Sequence, residues 1–360
     1  MKAQESSSKP KDKQAPAFLR SPSDPMPSSQ CDRAETPQEV AITQDLAPAS
    51  NPQVEAKSER VAVLQETSGL HILFEPTTAS SDLAVHGPGG DGFSTWTDGK
   101  SGKLWLRDLL PRFQGFRNAR VMTFNYVHPT SLSRRGTRSR TELWLDETAE
   151  SLESCIMKTR DETNTPRGKP IMFIGHSLGG IIIKMALAMA HGNDARSIFY
   201  STKSIIFFGT PRIGRQQKVA ERLLTLQRII EAAGIKQDEA LEASRYDGNL
   251  MVDTTEWFHD LGRGLLVTSF YEREKYNDVL VVDGNQARGN FANETTIGLD
   301  ANHHTICQFA SEKDEGFAEV HRAMYMHLME ISRALDAKEH SPTENKRAIL
   351  DDLEATTKPL

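Results

Sequence analysis

Residues Ile171–Lys184 read IMFIGHSLGGIIIK, and this stretch decides the fold. An uncharged apolar run, Pro170-Ile171-Met172-Phe173-Ile174, leads into Gly175-His176-Ser177-Leu178-Gly179. A second apolar run, Gly180 through Ala190, follows with a different period. The first run predicts a short buried strand and the second a buried helix. The G-x-S-x-G between them predicts a sharp strand-to-helix turn with serine at its tip, where glycines two residues to either side let the two segments pass closely. Such a turn lifts the serine Oγ out of the sheet. The helix behind it aims its free N–H groups and positive dipole end at the same point. The five-residue pattern is weak alone; the strand before it and the helix after it make it specific.

Outward from this turn the pattern alternates. Strands are expected at Leu70–Phe74, Asp82–His86, Ala119–Phe124, Ser204–Phe208, Gly264–Phe270 and Val279–Val282. Trp105–Leu110 reads as a short helix closed by Pro111. Thr141–Thr159, with Leu143, Leu145, Leu152 and Ile156 at helical spacing, and Ala318–Leu335 read as longer ones. Strands alternating with helices predict an α/β fold, a mostly parallel sheet with helices on both faces. Residues 215–262 interrupt the rhythm with amphipathic helix, including Leu223, Leu224, Leu226, Ile229 and Ile230. They are expected to form a helical cap insertion over the carboxyl edge of the sheet.

The ends differ in composition. Residues 1–58 are rich in Ser, Pro, Gln and Ala, without apolar periodicity, and are expected to form a disordered tail, since too little surface can be buried to offset ordering. Residues 339–360 are expected to be a flexible C-terminal tail, leaving residues 59–338 as the folded domain. Hydrophobic content of 38% over 360 residues agrees with a partly unfolded chain. With 43 Lys+Arg against 49 Asp+Glu, the net charge of −6 gives no reason to expect nucleic acid as a partner. No apolar run is long enough to span a bilayer. The first residues lack the apolar stretch of a secretory signal, and Lys2, Lys9, Lys11, Lys13 and Arg20 leave a mitochondrial presequence open, although Pro10 and Pro16 oppose its helix. Cys31, Cys155 and Cys307 are too few for a disulfide framework. The expected location is cytoplasmic or at an intracellular membrane periphery, with mitochondria the alternative. No Cys/His cluster has metal-ligand spacing and no phosphate-cradling glycine loop appears, so no metal and no cofactor are expected.

Eight segments in order carry a resemblance: VHGPGGD (85–91), WLRDLLPRF (105–113), ARVMTFNY (119–126), IMFIGHSLGG (171–180), IIFFGTPRIG (205–214), SFYE (269–272), VVDGNQA (281–287) and LDANHHTICQF (299–309). Over residues 70–330 the chain resembles the α/β-hydrolase branch of serine esterases and lipases. That branch includes the mitochondrial SERAC-type proteins and the fungal hydrolase domains that stand before NACHT, ankyrin or TPR regions. The resemblance implies the α/β-hydrolase fold and a Ser-acid-His order along the chain. Ser177 is then the nucleophile. His303 and His304 both follow the last strand; laid on the family pattern Asp-His-Ser, Asn302 takes the aspartate position, His303 the histidine and His304 the serine, so His303 is the expected base. The acid should follow the strand ending at Tyr271, which points to Glu272, with Asp283 after Val282 as the alternative.

The oxyanion of an acyl transfer needs two donors. One is expected from the Leu178 N–H. The other should come from the loop after His86-Gly87, where the family most often has Leu and this chain has Pro88, which carries no N–H. Either Gly89 shifts to donate, or turnover is slow, or it is lost. His86, Gly87, Pro88, His176 and Trp96 are the expected substrate-pocket residues; Trp96 fits an acyl-pocket wall and a core position equally well. Arg212 stands where the family commonly has His, and reads either as a substrate contact or as an exposed turn residue. Arg134, Arg135, Arg138 and Arg140 suit contact with phosphate head groups or an acidic partner, or a solvated loop. The resulting expectation is a serine esterase or lipase-like hydrolase of carboxylic esters, lipid esters among them, working through a Ser-His-acid triad and an acyl-enzyme, with peripheral membrane contact compatible. The alternatives are an acyltransferase on the same triad and a catalytically weak hydrolase-like binding or signalling module.

Overall fold

The computed structural model describes residues 68–76, 80–85, 90–126, 140–215, 217–233 and 249–339. The two expected tails (apart from Glu339), the loop holding His86, Gly87, Pro88 and Gly89, and Arg134, Arg135 and Arg138 lie outside the described residues. The strands are β1 (Gly69–Phe74), β2 (Ser80–Val85), β3 (Ala119–Asn125), β4 (Ile171–His176), β5 (Thr202–Phe208), β6 (Leu266–Glu272) and β7 (Glu294–Leu299). The helices are α1 (Trp105–Asp108), α2 (Arg140–Glu162), α3 (Leu178–Gly192), α4 (Arg196–Ser201), α5 (Val219–Ala232), α6 (Asn249–Leu261), α7 (Gly284–Ala287) and α8 (Glu315–Glu339).

All seven strands form one sheet in the order β1-β3-β2-β4-β5-β6-β7. Only β1 runs antiparallel, against β3; every other pairing is parallel. The period of two along a strand explains both apolar layers. Ile171 and Phe173 of β4 and Ile205 and Phe207 of β5 pack with Leu145 and Leu152 of α2, Ile183 and Leu187 of α3, and Phe258 of α6. Met172, Ile174, Ile206 and Phe208 face the other way, toward Trp105 of α1 and Phe317, Val320 and Met324 of α8. β4 and β5 are buried along nearly their whole length. A centre covered on both faces therefore reads as an unbroken apolar run rather than an alternating one.

Two expectations are corrected. Val279–Val282 is not a strand: Val279 makes only an isolated bridge to Tyr276. Val281 and Val282 are buried for a different reason, because they pack in the core next to the end of β6. The last strand is instead β7, ETTIGL, whose half-buried side chains and three polar residues give no apolar run to read. Among the described residues the 215–262 segment includes the helices α5 and α6; α6 packs on α3, and α5 turns Leu226, Ile229 and Ala232 into the core. No described helix is long and apolar enough to cross a membrane.

The crossing of β4, α3 and the turn after β5 leaves no room for a side chain at Gly180. A Cβ on Gly180 would lie 2.5 Å from Thr210 Cγ2 and 2.8 Å from the Phe207 ring. Gly180→Ala is expected to lower stability by about 1–3 kcal/mol, the usual cost of overpacking. Gly168→Ala, where a Cβ meets nothing within 4 Å, should stay within about 0.5 kcal/mol. Urea unfolding of the two variants measures the difference.

Candidate active site

Parallel strands deliver their carboxyl ends to one edge, which is where α/β sheets place their ligands. β4, β6 and β7 end there, and each is followed by one of the expected site residues: Ser177, Glu272 as the last residue of β6, and His303.

Ser177 sits between β4 and α3 with φ 52° and ψ −127°, a positive φ that is rare for any residue other than glycine. Its N–H donates to Phe208 O (2.9 Å), while its carbonyl accepts from Thr210 Oγ1 (3.0 Å) and Gly180 N (3.2 Å). Both peptide groups are thus clamped by the turn after β5, and the side chain is lifted toward the sheet edge. Gly175 allows the return of the chain, since a Cβ there would lie 2.8 Å from Gly180 Cα. Leu178 is buried at the first position of α3, so its N–H is among those that a helix leaves without an internal acceptor.

His303 Nε2 lies 3.0 Å from Ser177 Oγ, and its Nδ1 lies 3.3 Å from Glu272 Oε1. These partners assign the tautomer: Nδ1–H donates to the carboxylate and Nε2 accepts from the serine hydroxyl. All three residues are buried. Glu272 Oε1 also accepts from the N–H of Val282, which accounts for the buried Val281-Val282 pair. Asp283 does not meet His303. Its Oδ1 accepts from Asn285 N (2.8 Å) and Gln286 N (3.0 Å), capping α7.

The histidine loop is fastened at several points. His176 Nε2 donates to His303 O (2.8 Å), and Trp105 Nε1 donates to Cys307 O (2.9 Å). Asn302 Oδ1 accepts from His304 N (3.0 Å) and Thr305 N (3.1 Å), work that an aspartate would do equally well, so this departure from the family pattern leaves the loop intact. Gly209, at φ 50°, permits the ring to approach, because a Cβ there would stand 3.0 Å from His303 Nδ1.

Burial dominates the electrostatics. It pushes Glu272 up to about 7, against the Val282 and Val281 N–H groups and the charge of His304, which favour the ionised form. It pushes His303 down to about 3, with His304 acting in the same direction. A lone charge is costly in this dry site, so the pair takes one proton together near neutrality and a second only in strong acid.

A cavity of about 180 Å³ opens at Ser177, lined in part by Ser94, Thr95, His176, His304, Gln308 and Ile229. Trp96 is a core residue: it is fully buried, 6.4 Å from both the Trp105 and Phe208 rings, and its neighbours Ser94 and Thr95 face the cavity in its place. Ser94, Thr95 and Gln308 were not legible as lining residues; nothing in their local sequence marks them. Among the described residues no group of His, Cys, Asp or Glu could hold a metal ion.

Residues 120–234, which include Ser177, match the family model described as "Putative serine esterase (DUF676)". Similar solved structures include a carboxylesterase study from Nitrososphaera gargenis (14% identity, covering 71% of this chain and 93% of that one, TM-score 0.43). A lipase-esterase related protein from Clostridium acetobutylicum gives 11% identity, 72% and 99% coverage and TM-score 0.40. The lipase BlEst2 of Bacillus licheniformis gives 14%, 66% and 89%, and 0.41. No curated protein matches the sequence. The fold is that of the α/β-hydrolases.

Asp283→Ala separates the two carboxylates. Losing the α7 cap is expected to cost about 1 kcal/mol in chemical denaturation, while reactivity of Ser177 toward a fluorophosphonate should be retained.

Proposed function

We propose that this α/β-hydrolase, with a segment matching a serine esterase family, hydrolyses carboxylic esters through an acyl-enzyme on Ser177. The observation that carries the reading is the 3.0 Å contact between His303 Nε2 and Ser177 Oγ, backed by Glu272 at Nδ1. Ser177 Oγ attacks the ester carbonyl carbon as its proton passes to His303 Nε2. The tetrahedral oxyanion accepts from the Leu178 N–H, and a second donor is assigned to Gly89. The C–O bond to the alcohol breaks as His303 returns the proton to the leaving oxygen. Water then attacks the acyl-enzyme, giving one proton to His303, which passes it to Ser177 Oγ as the carboxylic acid departs. Glu272 stabilises the imidazolium formed in each half-reaction. The 180 Å³ cavity at Ser177 has room for the reacting ester and a short acyl group.

A second reading, a hydrolase-shaped binding module with little turnover, is favoured by Pro88, which cannot donate at the expected oxyanion position. Removing one such donor costs about 10²–10³ in rate. A fluorophosphonate probe decides between them. The esterase reading expects labelling of the wild type that disappears in Ser177→Ala; a folded wild type that stays unlabelled establishes the module.

The pH dependence follows from the buried pair. The base-competent form has Glu272 ionised and His303 neutral, so kcat/KM should rise through an acid limb near pH 7, where the pair loses its shared proton. Glu272→Gln removes the anion that holds that proton. The limb should then move well below the usual imidazole range, because burial lowers His303 on its own, while kcat falls by about 10²–10⁴. Initial rates with p-nitrophenyl acetate between pH 4 and 9 measure both effects, and an unmoved limb excludes Glu272 as the partner.

A further inference from the structure

A smaller cavity of about 70 Å³ lies beside the site, bounded by Arg228, Glu231, Ala232, Tyr276, Asn277 and the valines at 279 and 281. It shares Ala232 with the cavity at Ser177. The two linings also meet at a ring contact between His304, which lines the first cavity, and Tyr276, which lines the second, with centroids 4.4 Å apart. Arg228 is half-buried here, on the helix whose next residue, Ile229, lines the main cavity. Arg112, Arg120 and Arg215 each pair with a carboxylate. Arg228 has no such partner among the described residues. Glu231, three residues on, is exposed and is held by Gln227 Nε2 at 2.9 Å. The facing turn is built from Asn277 and Asp278, both in the left-handed region (φ 47° and 62°), and Tyr276 and Val279 close it by mutual backbone hydrogen bonds of 2.8 and 3.1 Å.

We infer that this annex is a substrate subsite for an anionic group, so the preferred esters carry a carboxylate a few carbons from the scissile carbonyl. The inference rests on the esterase reading of Ser177. A guanidinium with its donors unspent, set in a partly dry wall, binds a carboxylate by charge-assisted and often paired hydrogen bonds. The volume suits a carboxylate and a methylene or two. The shared chemistry is the anion; it can sit on the acyl side or on the alcohol side of the ester, and the committed assignment is the acyl side.

The test compares p-nitrophenyl monoesters of succinic, glutaric and adipic acids with p-nitrophenyl butyrate and valerate, and with acetate esters of 4-hydroxybenzoate for the alcohol side. Wild-type kcat/KM is expected to favour one of the acyl-side anions over its neutral counterpart by about 10- to 100-fold. In Arg228→Gln the anionic-to-neutral ratio should fall to near one, in Arg228→Glu below one, and Arg228→Lys should restore part of it. Glutarate binding, followed by calorimetry on wild type and Arg228→Gln, reads the annex without turnover. Binding that weakens in the variant supports the subsite even where no ester is cleaved, a result that would remove the esterase reading alone. No anionic preference in the wild type, a preference confined to the alcohol-side anion, equal losses on both ester types in Arg228→Gln, or no glutarate binding overturns the assignment.

Discussion

The site depends on a backbone conformation that serine does not adopt freely. A non-glycine residue at φ 52° and ψ −127° stores on the order of 1–3 kcal/mol, and such strain persists only where the surroundings over-determine it. Here they do. Phe208 takes the Ser177 N–H, Thr210 and Gly180 take its carbonyl, and the absence of a Cβ at 175 and 180 leaves α3 room to cross β4. These clamps come from β4, β5, the turn after β5 and the first turn of α3. Ser177 is thus positioned by the most buried part of the sheet, and loop motion has little purchase on it.

The partners of Ser177 are held differently. Glu272 ends a strand, so its backbone is fixed by the ladder, but its charge is stabilised chiefly by one N–H from a loop without regular structure. His303 follows an edge strand in a loop tied down by Asn302, His176 and Trp105. The dryness that raises Glu272 and lowers His303 arises from the same closure. A more open site would relax both shifts and would weaken every dipole aimed at a developing charge.

What the sequence disclosed divides along lines of locality. The turn at Ser177 is written in fourteen consecutive residues, and β1 to β6 are continuous or alternating apolar runs, so the fold class and the strand-to-helix turn were readable directly. β7 was not, because an edge strand with one half-buried face tolerates Glu294, Thr295 and Thr296. Val279–Val282 misled for the converse reason: apolar residues are also needed where a loop shields a buried carboxylate. Glu272 and Asp283 both follow apolar runs in the sequence, and only in three dimensions does one meet an imidazole and the other cap a helix. Trp96 and its neighbours Ser94 and Thr95 show the same limit at single-residue scale: the phase of a short 3₁₀ turn decides which side chain enters the core and which lines the cavity.

The hydrogen bond from Trp105 to the carbonyl of Cys307 joins positions 202 residues apart. A chain made from its amino end therefore completes β4 and exposes the elbow long before the loop that must dock on α1 has been synthesised. Throughout that interval Ser177 is present and His303 is not. The 3.0 Å contact between them, and with it the proposed acyl chemistry, has to wait until the carboxyl-terminal third packs against the amino-terminal third.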